Sequence, residues 1–172
     1  MKASAYFSET YEEARRRFLN AADAAGARLE SYENRHAHGP GGMRLFMDTA
    51  WFGPANAETV LLNVSGTHGA EGYGGSAAQT AWITEMGPAA LPHGVAMLMI
   101  HAANPFGFAW GLRGTENNVD LNRNFLDHSK PHPENALYDE LHKILCPSSM
   151  SEDAIQKMLA AGARFVEKHG QW

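Results

Sequence analysis

The chain has 172 residues, 44% of them hydrophobic and 19% charged, with a formal net charge of −5. That is enough chain for one domain with a real core. An acidic balance spread along the chain, with no basic stripe, excludes a nucleic-acid binder.

Cys146 is the only cysteine, so neither an internal disulfide nor a cysteine-built zinc site is open to the chain. A reducing, cytoplasmic setting is expected. The opening MKASAYFSETYEEARRRF has no apolar stretch of the secretory kind. The longest apolar runs, such as 95–100, are too short for a bilayer, so no membrane partner is expected.

Ser8-Glu9-Thr10 ahead of YEEARRRFLNAADAAG predicts an N-capped helix that stops near Gly26. Acids come early in it and arginines follow, as the helix dipole favours. A short strand is expected over 27–32, a loop over 36–42 (HAHGPGG) and a second strand over 43–50. Segment 58–64 (ETVLLNV) is apolar with few interruptions, which predicts a strand buried on both faces. A turn over 65–69 leads into a helix over 71–86, closed by Gly87-Pro88. Another buried strand is expected over 94–101 (GVAMLMIH), then a long loop over 103–119 opening on Asn104-Pro105. Helices over 133–145 and 151–169 follow, the second with Ile155, Met158, Leu159, Ala163 and Val166 at helical spacing. Strands alternating with a helix predict an α/β sheet with some parallel pairing, its site at the carboxyl ends of the strands. The whole of 1–172 reads as a single α/β domain.

Two segments at such strand ends carry chemistry. His68 and Glu71 stand three residues apart where a strand turns into a helix. An imidazole and a carboxylate brought to one point are ligand types that zinc accepts. Gly66, Gly69 and Gly72 leave room for a tight turn there. The alternative is a polar loop, with His68 as a helix cap and Glu71 as an exposed first-turn acid. The second segment, 104–125, reads NPFGFAWGLRGTENNVDLNRNF. Arg123 offers a fork to a carboxylate, Asn122 an amide donor to the same group, and Arg113 a cation to polarise a carbonyl. Asp120 suits an orienting role in the turn and an ion pair with one of the arginines. The alternative is a surface loop with solvated arginines.

T-H-G-A-E-G at 67–72, N-P-F-G-F at 104–108 and V-D-L-N-R-N-F at 119–125, in this order, resemble the zinc carboxypeptidase superfamily. That superfamily also holds the aspartoacylase and succinylglutamate desuccinylase-like deacylases. Within it the likeness is to a bacterial branch known as a domain of unknown function. The resemblance spans roughly residues 55–130, and the whole chain more loosely. It implies a mixed, mostly parallel sheet of about eight strands flanked by helices. It implies His68 and Glu71 as zinc ligands, Arg113 as the carbonyl-polarising residue, and Asn122 with Arg123 as the holders of a substrate carboxylate. The implied reaction is hydrolysis of an amide beside a free carboxylate, in a peptide or an N-acyl amino acid, by a zinc-activated water.

The family also uses a third zinc ligand, a His ending a later buried strand, and a late Glu as general base. His128, His132, His142 and His169 follow no apolar strand, and Glu134, Glu140, Glu152 and Glu167 read as helix-surface acids. His101 does end a strand and is expected to line the pocket; its alternative is a partly buried His bonded to a backbone carbonyl. The sheet is therefore expected to be incomplete on its C-terminal side, with Trp172 an apolar end. An open edge would be covered by the last helices, a partner chain or self-association. The competing function is a catalytically incomplete remnant that binds a carboxylate ligand or partner without hydrolysis.

Overall fold

The computed structural model describes residues 2–170; Trp172 lies outside them. Thr10 caps the first helix, α1 (Tyr11–Ala24), its side-chain oxygen accepting from the Glu13 N–H at 3.2 Å. Gly26, at φ +74°, turns the chain out of that helix. Strand β1 (Arg28–Asn34) then forms a hairpin with β2 (Leu45–Phe52), in register from Arg28 opposite Trp51 to Asn34 opposite Leu45. The expected Gly/Pro loop joins them. Strand β3 (Thr59–Val64), helix α2 (Gly69–Glu85) and strand β4 (Val95–His101) follow.

The sheet order is β1-β2-β4-β3. The expected α/β class, a mixed sheet flanked by helices, is what forms. Parallel pairing is narrower than a mostly parallel sheet would have, because it is confined to β3 and β4. Only that pair is joined through a crossover helix, and the hairpin loop obliges β1 and β2 to run antiparallel. β2 and β4 are antiparallel as well.

Alternation sends Ala50 and Phe52 of β2, and Met97 and Met99 of β4, toward α1 and α2. There they meet Phe18, Ala22 and Ile83 in one apolar cluster. A second cluster joins Tyr11, Ala14, Leu45, Ala102 and Phe108. Phe108 comes from a helix where an irregular loop was expected, α3 (Pro105–Trp110). Asn104 caps it, accepting from the Gly107 N–H at 2.8 Å, and Pro105 opens it where a missing N–H costs nothing. Gly111, at φ +66°, ends it.

β3 corrects a second expectation. It is not buried on both faces: all six of its residues are exposed, Leu62 at 62%. It lies at the edge of the four-stranded sheet, and its side chains alternate between a face shared with α2 and the opposite face of the sheet.

By internal contacts the chain forms two compact units, Met1–Phe125, with the sheet and α1–α3, and Leu126–Trp172. The second holds α4 (Ala136–Leu145) and α5 (Glu152–His169), capped by Asn135 and Ser151. Glu140 of α4 takes Lys168 at 2.9 Å and His169 at 3.2 Å from α5. The packed stripe of α5 runs through Ile155, Met158 and Phe165, while Leu159 and Val166 stay exposed. Phe165 is the large apolar side chain that the expected stripe left out. No helix among the described residues is long and apolar enough to cross a membrane.

Candidate functional site

Residues 65–68 carry the chain from the end of β3 into α2. Gly66 sits at φ +69°, and a Cβ there would stand 2.8 Å from the Ala102 backbone. At Gly69 a Cβ would fall 1.9 Å from the Gly107 carbonyl oxygen. The absent side chain lets the first turn of α2 seat against α3, and the Gly69 N–H donates to the Leu112 carbonyl at 2.9 Å. Asn104, almost fully buried, ties the same segments together: its amide donates to the Gly114 carbonyl at 3.1 Å and the Thr67 carbonyl at 3.4 Å. The turn bearing His68 and the loop bearing Arg113 and Asp120 are thus one assembly.

His68 stands at the N-cap of α2, but its side chain does not cap the helix. Its Nε2 meets Asp120 Oδ1 at 2.8 Å instead. A carboxylate only accepts, so Nε2 carries the proton, and Nδ1 is the nitrogen left to offer a lone pair. That Nδ1 lies 3.7 Å from Glu71 Oε1. Two ligand atoms each about 2.1 Å from a tetrahedral zinc are roughly 3.4 Å apart, so the pair fits two corners of a zinc site. The His68 side chain is only 12% exposed, that of Glu71 69%. The alternative reading of Glu71 as an exposed first-turn acid agrees with that exposure; the reading of His68 as a helix cap agrees with its N-cap position, though its side chain bonds Asp120 rather than the helix.

Asp120 is the hub. Besides His68 it accepts from Arg113 Nε at 2.8 Å and from the Asn122 backbone N–H at 2.9 Å. The His68 bond, followed by those of Arg113 and Asn122, holds its carboxyl down at about 2, against the opposing effect of partial burial. The ion pair with an arginine agrees with its expected role; the bond to His68 went unforeseen. Fifty-two residues separate the two, and no local pattern joins them.

Asn122 reaches this hub through its backbone alone. Arg123 lies on the same short turn, Leu121–Arg123, exposed, its Nη1 donating to the Asn122 carbonyl at 3.0 Å. The structure therefore brings His68, Glu71, Asp120 and Arg113 together, with Asn122 and Arg123 at the rim.

His101 is elsewhere. It is fully buried, stacked on Phe18 at 4.6 Å between ring centroids, with Nε2 2.9 Å from the Ser76 hydroxyl. A pocket-lining place is not open to a ring with no exposure, and its bond to a hydroxyl differs from the backbone bond of the alternative. Burial drives its pKa down to about 4, against the pull of Asp48, so the ring is neutral. Its Nδ1 has no hydrogen-bond partner. Asp48, opposite His101 in the sheet, is taken by Arg15 at 2.7 and 3.0 Å and by Ser31 at 2.5 Å. Ser76, His101 and Asp48 thus form no relay. Among the described residues no group of three or more His, Cys, Asp or Glu side chains is placed to hold a metal ion.

The family model described as "Protein of unknown function (DUF2817)" matches residues 7–172. The chain belongs to this family. No curated protein matches the chain. Among solved structures it is similar to the Fimbriiglobus ruber glutaminyl cyclase, with 12% identity and a TM-score of 0.36. That match covers 55% of this chain and 38% of the cyclase chain, so the likeness spans well under half of that enzyme. For this DUF2817 member the chemistry must therefore be argued from its own side chains.

Proposed function

We propose that the chain carries a zinc-hydrolase site of the carboxypeptidase type, acting on an amide next to a free carboxylate. The observation that carries this reading is the His68 ring. Asp120 takes its Nε2, which leaves Nδ1 directed at the Glu71 carboxylate 3.7 Å away. A carboxylate on the far nitrogen of a liganding His is the usual arrangement for fixing its tautomer and raising its basicity.

His68 and Glu71 would hold the metal. Bound zinc would supply Lewis acidity and a water of lowered pKa. The chain's own residues do the rest. Asp120 orients His68 and Arg113 together, so metal clamp and carbonyl-polarising cation are held by one group. Asn122 and Arg123, at the exposed rim, receive the substrate carboxylate, Arg123 by turning its guanidinium from the Asn122 carbonyl to the ligand.

A second reading rests on the lack of a third protein ligand among the described residues. It takes the same rim as a carboxylate-binding surface without hydrolysis. A screen of N-acyl amino acids and short peptides, with zinc supplied, separates the two. Hydrolysis lost in both His68→Ala and Glu71→Ala supports the first reading, and hydrolysis that survives both sinks it. Carboxylate binding lost in Arg123→Ala, with no hydrolysis by the wild type, supports the second.

A further inference from the structure

Gln79 of α2 is a polar side chain in the interior, only 2% exposed. Burying a carboxamide costs stability unless its polar atoms are bonded. All of them are. The Ser65 hydroxyl donates to Gln79 Oε1 at 2.8 Å, and Gln79 Nε2 donates to Asn63 Oδ1 at 2.8 Å and to the Ile100 carbonyl at 3.0 Å. That carbonyl can only accept, which sets the orientation of the amide.

The three partners mark a junction. Asn63 lies near the end of β3, Ser65 opens the turn to His68, and Ile100 lies near the end of β4. The Ile100 carbonyl also takes the Ser65 N–H at 2.9 Å, so α2 and the exit of β3 share one acceptor. Gly75 stands four residues before Gln79, on the same side of the helix. A Cβ there would be 2.9 Å from Ser65 Cβ, so α2 rests directly on the turn. Backbone bonds hold the turn from its other side: the Ala103 N–H donates to the Ser65 carbonyl and the Asn104 N–H to the Gly66 carbonyl, each at 2.9 Å. His68 comes three residues after Ser65 and directly before α2. Its ring goes where the angle between β3 and α2 sends it, and a bond of 2.8 Å to Asp120 tolerates little error in that angle.

We propose that Gln79 is a positioning residue for His68, its carboxamide fixing the angle at which β3 enters α2 and so the reach of Nε2 to Asp120. Its bonds go to the strands and the turn, not to His68. The role serves the zinc site proposed above and rests on that reading, but its effect on the ring is readable without metal.

The test is the His68 imidazole in a long-range proton–nitrogen NMR spectrum of isotope-labelled, chelator-treated protein, its signals assigned by their loss in His68→Gln. At about pH 8 an ordinary imidazole is neutral. The wild type is expected to show one fixed tautomer, protonated on Nε2. Gln79→Leu keeps the bulk and removes all three bonds. It is expected to average the two ring nitrogens and to weaken zinc binding about tenfold in chelator competition, the low end for a group that orients a ligand from outside. Ile83→Val, in the apolar cluster on the same helix, controls for lost stability and is expected to change neither reading. Should circular dichroism show Gln79→Leu unfolded, Ser65→Ala, which removes one bond of the three, is expected to shift the ring signals the same way by less. Wild-type ring signals or wild-type zinc affinity in folded Gln79→Leu overturn the proposal, as does an equal ring shift in Ile83→Val. A wild type with the fixed ring but no zinc fails the zinc reading instead, and the ring signals still decide the role of Gln79.

Discussion

Asp120 accepts from three donors, His68 on one segment and Arg113 and Asn122 on its own, and this makes it the residue on which the site turns. Asp120→Ala leaves His68 with no partner on Nε2 and frees the ring to rotate. Loss of such an outer partner is expected to weaken zinc binding by about 10–100-fold. A chelator-competition titration against the wild type reads this directly, and unchanged affinity would remove Asp120 from the account. His101 is the other residue with a measurable signature. Its pKa is lowered from the ordinary value of 6.5 to about 4, so the unfolded chain binds the proton first as pH falls. Stability is then expected to drop between pH 6.5 and 4, by an amount on the order of 3 kcal/mol once both states are protonated. The charged groups nearest the ring, Asp48 on β2 and Arg15 on α1, are already paired with each other. His101→Gln, which keeps a partner for Ser76, is expected to flatten this part of the profile in urea unfolding at pH 7 and 5. An equal slope in both proteins would place the acid sensitivity elsewhere.

At the scale of elements, glycine decides where α2 begins. A Cβ on residue 69 has no space against the Gly107 and Leu112 carbonyls, so Gly69→Ala must push α2 away from α3. A loss of about 2–4 kcal/mol is expected by thermal or urea unfolding, in the range of steric core damage. Removing the buried cap in Asn104→Ala is expected to cost at least the ~1 kcal/mol of an ordinary N-cap, and more because its bonds to Gly114 and Thr67 go as well. Most elements were legible in the sequence. The Thr10 cap, the Gly/Pro hairpin loop and the Gly87-Pro88 stop are local signals, and the structure uses them locally. α3 was not legible, because six residues between Asn104 and a glycine carry too little periodicity to separate helix from loop. The faces of β3 were not legible for another reason. An unbroken apolar run does not by itself say where in the sheet its strand lies, and only the strand order places β3 at the end of the four.

For the whole molecule, the strand-to-helix turn and the V-D-L-N-R segment were singled out in the sequence, and the structure brings the two together. His68, Glu71, Arg113, Asn122 and Arg123 were all named from types and spacing. The meeting of His68 with Asp120 was hidden, since it depends on how α3 and its loop fold back onto α2. His101 was misplaced because ending a strand near the site does not say on which face the ring lies. It shares its face with Asp48 and Phe18, inside the core. The first unit thus sets its polar site at the carboxyl end of β3, the strand that leads into α2.

The measurement closest to the central claim is the zinc content of purified protein by elemental mass spectrometry. Wild type, His68→Ala and Glu71→Ala are compared after zinc is supplied and the excess dialysed away. Near-stoichiometric zinc in the wild type, lost in both variants while their circular dichroism is unchanged, is the predicted result. No zinc in the wild type, or zinc retained in both variants, would contradict the clamp and leave Asn122 and Arg123 at the rim as a carboxylate-binding surface alone.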